Sequence, residues 1–213
     1  KNGGAAGPIA FAPTAINGSD TVSLGIALTT TGANEGIDTI NAANTDDGNT
    51  ITVSETGSIT TTGDGATGIY NEGASNKTTL SGSITTGGKF TAGIHNERMS
   101  TDTDTNDLNE TTVSGSIKTT GVGAFGIYNE GNTNTTTVSG RIETTGNKGT
   151  LGGKTYGAYG IYNVGNKNKT THSGSIKTTG DGADGIYNLG NTNTTTLSGS
   201  IETTGDDAYG IVN

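Results

Sequence analysis

The amino-acid sequence repeats itself about every 25 residues over most of its length. Each repeat carries a Ser-Gly-x-Ile block and a Gly-Ile-Tyr-Asn block. The isoleucines of the first block are 25, 33, 25, 34 and 25 residues apart: Ile59, Ile84, Ile117, Ile142, Ile176 and Ile201. A fixed period of this length is typical of stacked-repeat architectures. The two longer intervals predict insertions near residues 97–109 and 146–157.

Each repeat contains three short extended segments separated by Gly and Asn. In the unit around residues 111–129 they are Thr-Thr-Val-Ser, Ile-Lys-Thr-Thr and Gly-Ile-Tyr-Asn, which are rich in β-branched and aromatic residues. No segment is long enough for a helix, and no stripe with a period of 3.6 residues occurs. The sequence therefore predicts an all-β fold, a single right-handed parallel β-helix (β-solenoid) of about seven coils with three short strands per coil.

The predicted solenoid covers residues 22–213, and residues 1–21 form an N-terminal extended segment. In the weak first coil, Val22 and Ile26 are predicted to take the places of Val53 and Ile59. The last coil is predicted to stop at Asn213 before its third strand forms. The predicted coils start near Val22, Val53, Leu80, Val113, Val138, His172 and Leu197.

Strand alternation predicts three inward columns, one of Val and Leu and two of Ile. The Gly-Ile-Tyr-Asn blocks add an inward column of amides that can pair along the stack: Asn71, Asn96, Asn129, Asn163 and Asn188. His172 stands in the Val/Leu column. We interpret it as a core variant rather than a metal ligand, because neighbouring repeats supply no partner ligands.

The composition alone points toward disorder, since Leu, Ile, Val and Phe make up only 35 of 213 residues. A stacked core resolves this conflict because neighbouring coils share one thin column.

The formal net charge of −9 argues against nucleic-acid binding, which requires clustered cations. The absence of Cys excludes disulfides and thiol catalysis, and no run is apolar and long enough for a membrane span.

The unit Ser-Gly-Ser-Ile-Lys-Thr-Thr-Gly-Asp-Gly-Ala-Asp-Gly-Ile-Tyr-Asn, residues 173–188, resembles repeats in the passenger regions of bacterial autotransporters and related haemagglutinin-type surface proteins. The resemblance covers about residues 50–213. It implies an exported β-solenoid at the cell surface. It does not choose between adhesins, assembly scaffolds and enzymes, all of which occur among such passengers.

Outward-facing aromatic residues form one candidate binding face: Tyr70, Tyr128, Tyr162 and Tyr187, with His95 and Val212 at the equivalent positions of other coils. Such a column either docks a partner chain or glycan, or stabilises its own sheet by cross-strand stacking.

A weak calcium site is suggested by Asp102, Asp104 and Asp107, which place carboxylates in the first insertion; the alternative is a solvated acidic loop. Apart from this candidate, no cofactor is expected.

The Asn-x-Thr triplet occurs once per coil, at Asn76, Asn109, Asn134, Asn168 and Asn193. It fits either glycosylation or turn chemistry.

The other outward positions argue against two activities. Charges interrupt the outward Thr columns, which disfavours an ice-binding face, and Lys118 and Lys177 are predicted to pair with Glu143 and Glu202 on adjacent coils. A polysaccharide-active enzyme would need clustered carboxylates with a positioned cation, and the monotonous repeats carry no such cluster. We therefore expect a protein without enzymatic activity.

The two ends of the solenoid suggest self-association. The segment with Ile9, Phe11 and Ile16 is apolar and extended, and it either caps the first coil or adds to a neighbouring subunit, while Ile211 and Asn213 lie in the last coil. The favoured function is an extracellular structural protein that contributes to a fibre by head-to-tail assembly. The alternative is an adhesin that binds a host or neighbouring-cell ligand through its Tyr face or its insertion loops.

Overall fold

Three parallel sheets wind around one narrow core. The computed structural model describes residues 21–33, 35–38, 48–98 and 107–213, and these residues form 23 β-strands and no helix. Each parallel sheet has seven strands, and one strand from each sheet makes a coil. The remaining two strands form a separate antiparallel hairpin. The prediction of a parallel β-helix with about seven coils of three strands is confirmed.

Strand order within each sheet follows the coils. Sheet 1 contains β1 (Thr21–Leu24), β4 (Thr50–Val53), β7 (Lys77–Leu80), β10 (Glu110–Val113), β13 (Thr135–Val138), β18 (Lys169–His172) and β21 (Thr194–Leu197). Sheet 2 contains β2 (Ala27–Thr30), β5 (Ser58–Thr61), β8 (Ser83–Thr86), β11 (Ser116–Thr119), β14 (Arg141–Thr144), β19 (Ser175–Thr178) and β22 (Ser200–Thr203). Sheet 3 contains β3 (Ile37–Asp38), β6 (Ile69–Glu72), β9 (Ala92–Glu97), β12 (Phe125–Glu130), β17 (Ile161–Val164), β20 (Ile186–Leu189) and β23 (Ile211–Val212). The hairpin consists of β15 (Gly149–Leu151) and β16 (Lys154–Tyr156) and lies in the second predicted insertion.

The core is built from the predicted columns. Ile117 pairs with Ile84 and Ile142 in sheet 2, and Ile127 pairs with Ile94 and Ile161 in sheet 3. All six side chains are at most 1% exposed. Each coil thus adds a few apolar side chains to a shared column, so a chain poor in apolar residues can still bury them.

Glycine allows the coils to approach closely. A Cβ atom built at Gly140 would lie 1.9 Å from the carbonyl oxygen of Gly115, its counterpart in the preceding coil. The same contact recurs at every coil from Gly82 to Gly199. The Gly-Ile-Tyr-Asn glycines form a second column, which faces the following coil, and a Cβ at Gly126 would lie 2.4 Å from the carbonyl oxygen of Gly160. Many of the 38 glycines are therefore explained by steric exclusion between coils.

Hydrogen-bonded amides complete the core, and we call this column the inner amide ladder. Each Asn Nδ2 donates to the Asn Oδ1 of the next coil over 2.6–2.8 Å, from Asn71 through to Asn213. The same Nδ2 also donates to a Thr hydroxyl of sheet 1, as Asn129 does to Thr136 over 2.9 Å. The predicted pairing of the buried Asn column is confirmed.

Two details of the predicted coils are wrong. In the first coil, Leu24 and not Val22 pairs with Val53, and Leu28 and not Ile26 pairs with Ile59. A shift of two residues keeps every side chain on the same face, so alternation could not separate the two registers. In the last coil a third strand does form, because Ile211 pairs with Ile186.

His172 occupies the core position predicted for it. Its imidazole is 0% exposed, and His172 pairs with Val138 on one side and Leu197 on the other. Nε2 lies 3.1 Å from the carbonyl oxygen of Ser200. The side chain therefore belongs to the core column, as a ring that reaches one backbone acceptor.

Candidate functional site

The outer side of sheet 3 carries the predicted aromatic column, which we call the aromatic face: Tyr70, His95, Tyr128, Tyr162 and Tyr187. The His95 and Tyr128 rings stack with centroids 4.4 Å apart, and Tyr128 and Tyr162 stack at 5.1 Å. Tyr70 meets His95 edge-on at 5.0 Å. The cross-strand stacking alternative thus describes what these rings do; docking of a partner stays a prediction.

A second set of rings covers part of this face. Phe125 and Tyr159 precede the Gly-Ile-Tyr-Asn block at equivalent positions of neighbouring coils, and Tyr156 comes from the hairpin. Phe125 lies 5.4 Å from Tyr162, and Tyr159 lies 5.2 Å from it. Tyr162 is therefore only 7% exposed, and the expectation of an open outward column is wrong at this position.

The second set of rings is interrupted in one coil, and a pocket lies at that position. The coil that contains β9 carries the small residue Ala92 at the position paired with Phe125. Beside Ala92 lies a cavity of about 140 Å³, lined chiefly by Phe90, Phe125, Tyr128 and Tyr156, with His95 and Leu151. The small side chain in one coil and the hairpin of a later coil together create this concavity.

The sequence interpretation missed this pocket although a signal was present. Phe-Gly-Ile-Tyr and Tyr-Gly-Ile-Tyr replace the simpler blocks at residues 125–128 and 159–162, so these two coils carry an extra ring. The path of the hairpin, which brings Tyr156 back over β12, could not be read from its sequence.

Two tyrosines of the aromatic face donate hydrogen bonds to carboxylates. The hydroxyl of Tyr128 donates to Glu130 Oε2 over 3.0 Å, and that of Tyr70 donates to Glu97 Oε2. Burial, followed by these carboxylates, raises the pKa of both tyrosines well above the usual range. Both hydroxyls therefore stay protonated and remain hydrogen-bond donors at the edge of the aromatic face.

His95 is held neutral in this setting. Its Nε2 is buried and has no hydrogen-bond partner, with Glu97 Oε2 3.9 Å away. Burial lowers the pKa of His95 to about 3. Between the tyrosine rings, the loss of hydration outweighs the attraction of the nearby carboxylate.

We expect His95 to make the fold less stable in acid. Above pH 6.5 the imidazole is neutral in both the folded and the unfolded chain, and stability does not depend on its titration. Below that pH the unfolded chain takes up a proton that the folded chain takes up only near pH 3, so the free energy of unfolding falls as the pH falls between the two values. The free energy of unfolding should fall by up to about 1.4 kcal/mol per pH unit in this window from His95 alone. Urea unfolding of the wild type and His95→Tyr at several pH values measures it, because Tyr is the residue of the neighbouring coils. Equal pH slopes for the two proteins would contradict the assignment.

The calcium candidate is divided between described and undescribed residues. Asp102 and Asp104 lie outside the described residues. Asp107 is 1% exposed, and its Oδ2 accepts a hydrogen bond from the backbone N–H of Asn132. Asn132 and Asn166 accept the equivalent bond from the next coil, so Asp107 belongs to a structural turn ladder. Among the described residues, no group of three His, Asp or Glu side chains is placed to hold a metal ion.

The asparagines of the Asn-x-Thr triplets form a further ladder. Asn76 accepts a hydrogen bond from the backbone of Asn49, and each later triplet Asn accepts from the Asn one coil before it, over 2.8–3.1 Å. Asn76, Asn109, Asn134 and Asn168 are at most 2% exposed. Turn chemistry therefore explains these triplets, and the glycosylation alternative is wrong at these four sites in the folded chain.

The charge pairs and the residues of the last coil lie where the repeat places them. Lys118 and Lys177 contact Glu143 and Glu202 at 3.3 and 2.8 Å, as predicted. Ile9, Phe11 and Ile16 lie outside the described residues. Ile211 is 37% exposed on the last coil, and Asn213 accepts the final bond of the inner amide ladder.

Comparison of the chain with protein-family models, with curated proteins and with solved structures finds no match. Within its described part, the chain contains no helix that combines the length and hydropathy needed to cross a membrane.

Proposed function

We propose that this chain is a non-enzymatic structural protein, a β-solenoid rod that contributes to an extracellular fibre at the cell surface by head-to-tail assembly. The resemblance of its repeats to exported surface proteins supports the location. The uniform coils support the structural role, since their conspicuous side chains serve the stacking of one coil on the next.

The observation that carries the assembly proposal is the unbroken repeat pattern of the last coil, whose three strands pair in register with those of the coil before it. Leu197 is 44% exposed and Ile211 is 37% exposed, whereas His172 and Ile186, their counterparts one coil earlier, are both 0% exposed. The three core columns thus extend into the last coil with their pattern unchanged. Another coil of the same pattern would bury these side chains and pair the open strand edges.

A second copy of this chain can supply that coil. The three sheets end with β1, β2 and β3 on one side and with β21, β22 and β23 on the other. Placing the first coil of one copy on the last coil of another would continue every sheet in parallel. This contact joins two different faces and stacks the copies along the axis of the coils, so it does not close on itself and produces a filament.

Gly210→Ala tests the assembly. A Cβ at Gly210 meets no atom within 4 Å, although the same atom at Gly185 would lie 2.5 Å from the carbonyl oxygen of Gly210. The substitution should therefore leave the isolated rod stable while it blocks the addition of a coil. Sedimentation and electron microscopy across concentrations should show wild-type filaments and monomeric Gly210→Ala rods.

Leu197→Lys provides a second variant, and Leu189→Lys is its matched control. Leu189 is 50% exposed, similar to Leu197, but it lies on the side of the rod after the Asn of sheet 3. Only the substitution at the end face should abolish filaments. Single wild-type rods at every concentration, or filaments of Gly210→Ala like those of the wild type, would refute the proposal.

A binding role is the second candidate, and the pocket beside Ala92 favours it. An adhesin that binds through its first insertion should lose ligand binding when the eight residues 99–106 are deleted, with assembly intact. A fibre subunit that uses its N-terminal segment should lose assembly when residues 8–16 are removed.

A further inference from the structure

The pocket beside Ala92 has the size of a single small ring or a compact alkylated group. Its volume is about 140 Å³. A cavity of about 150 Å³ in another protein accommodates benzene, so the space suffices for a group of that size. The pocket lies on the side of the rod and does not depend on end-to-end assembly.

Aromatic faces meet at an angle around this space. The Phe125 and Tyr156 rings are almost perpendicular, at 82°, with centroids 6.1 Å apart. Tyr128 is tilted by 44° to Phe125 at 5.2 Å, and His95 is stacked on Tyr128. Rings inclined to one another around a common space offer it both negative π faces and positive edges, and a cation is attracted to the faces.

Three of the four hydroxyl side chains that line the pocket already make hydrogen bonds within the protein; the fourth belongs to Tyr156. Thr67 Oγ1 accepts from the backbone N–H of Ala92, Thr91 Oγ1 donates to Thr86, and the Tyr128 hydroxyl donates to Glu130. A sugar ring, which needs several hydrogen-bond partners, is poorly matched to such walls. A primary ammonium is also poorly matched, because three N–H donors would lose water in a pocket that offers few acceptors.

The charges near the pocket favour a cation. None of the described residues that line it is Lys, Arg, Asp or Glu, and His95 is neutral because burial lowers its pKa. Glu130 accepts a hydrogen bond from the lining residue Tyr128, Glu97 lies 3.9 Å from the lining residue His95, and the chain carries a formal net charge of −9. An anionic ligand would find no cationic side chain among the described lining residues.

We propose that this pocket binds a quaternary ammonium group, of the trimethylammonium kind. Such a group has no N–H donor that requires an acceptor. Its methyl surface packs on ring faces, and its charge is attracted by their quadrupoles and by the two carboxylates. Free choline, a trimethylated lysine and a phosphocholine lipid headgroup all carry this group.

Titration with choline chloride, compared with its neutral isostere 3,3-dimethylbutan-1-ol, tests the proposal. Proton NMR should show upfield shifts of the choline methyl signal from the surrounding rings, with a Kd of about 1 mM. The isostere should bind about tenfold or more weakly, because it has the same shape without the charge. Equal binding of the two compounds would make this a simple apolar pocket, and no binding of choline would equally refute the proposal.

Ala92→Phe fills the pocket with the residue that the next coil already carries at Phe125. It should abolish choline binding while the coils stay folded. Tyr209→Ala is the matched control, because Tyr209 is 61% exposed in the last coil at the position equivalent to Ala92. Tyr156→Leu keeps an apolar wall without its π face, so it should weaken choline and leave the isostere unaffected. Retention of choline binding by Ala92→Phe, or equal loss of both ligands in Tyr156→Leu, would contradict the assignment.

Three probes separate the sources of the group: free choline, the amino acid trimethyllysine, and vesicles of pure phosphatidylcholine set against vesicles of pure phosphatidylglycerol. Choline binding that Ala92→Phe abolishes supports the site, and the probe that binds most tightly identifies the source. Preference for phosphatidylglycerol would point to an anion site and refute the proposal.

Discussion

Gly126→Ala is expected to prevent the coils from stacking at the centre of the rod. A Cβ at this position would lie 2.4 Å from the carbonyl oxygen of Gly160 and 2.4 Å from Ile142 Cγ2. Both atoms belong to the next coil, and the first is backbone that is fixed by hydrogen bonds on either side. The free energy of unfolding should therefore fall by about 3 kcal/mol or more, measured by urea unfolding followed by circular dichroism.

Gly210→Ala is the matched control for this loss. Gly210 belongs to the same glycine column and precedes the same Ile, but no atom lies within 4 Å of a Cβ built there. The urea midpoint of Gly210→Ala should match that of the wild type when both proteins are monomeric. If Gly126→Ala and Gly210→Ala lower the free energy of unfolding by the same amount, chain flexibility rather than contact between coils would explain the glycine column.

Periodicity is the reason why the coils could be predicted from the sequence. Residues that recur every 25 positions must fall on the same place of successive coils, so the Ile columns and the inner amide ladder follow from the spacing alone. The same reasoning places Glu143 between Lys118 and Lys177, one coil on either side. These features repeat, and repetition made them visible.

Features that depend on a departure from the repeat could not be obtained in this way. The hairpin β15–β16 has no counterpart in other coils, so nothing in the spacing indicated that Tyr156 packs near Phe125. Ala92 appeared to be an ordinary small residue, and its effect exists only through those two neighbouring rings. The register of the first coil was ambiguous because Val22 and Leu24 share a face.

Burial also decides between the two interpretations of the asparagines in the Asn-x-Thr triplets. Their spacing of one per coil fits a carbohydrate acceptor and a turn ladder equally well. Only the position of Asn109, which accepts from the Asn76 backbone and donates to the carbonyl oxygen of Gly73, separates the two alternatives. A repeat thus predicts that a residue type is needed at a position, and the contacts tell why.

Asn129→Asp is expected to break the inner amide ladder with the smallest possible change of shape. Asn129 is 0% exposed, and its Nδ2 donates to Asn163 Oδ1 over 2.8 Å and to Thr136 Oγ1 over 2.9 Å. A carboxylate oxygen in its place would face the Asn163 oxygen with no proton between them, in a core that cannot hydrate the charge. The free energy of unfolding should fall by about 3 kcal/mol or more.

Asn191→Asp makes the same chemical change at an exposed turn position and should leave the urea midpoint almost unchanged. Comparison of the two variants separates the loss of the buried donor from any general effect of an added negative charge on a chain of net charge −9. A midpoint for Asn129→Asp that equals that of Asn191→Asp would mean that the ladder does not hold the coils together. The uninterrupted bonds from Asn71 to Asn213 predict the opposite, because each amide between these two both accepts from the coil before it and donates to the coil after it.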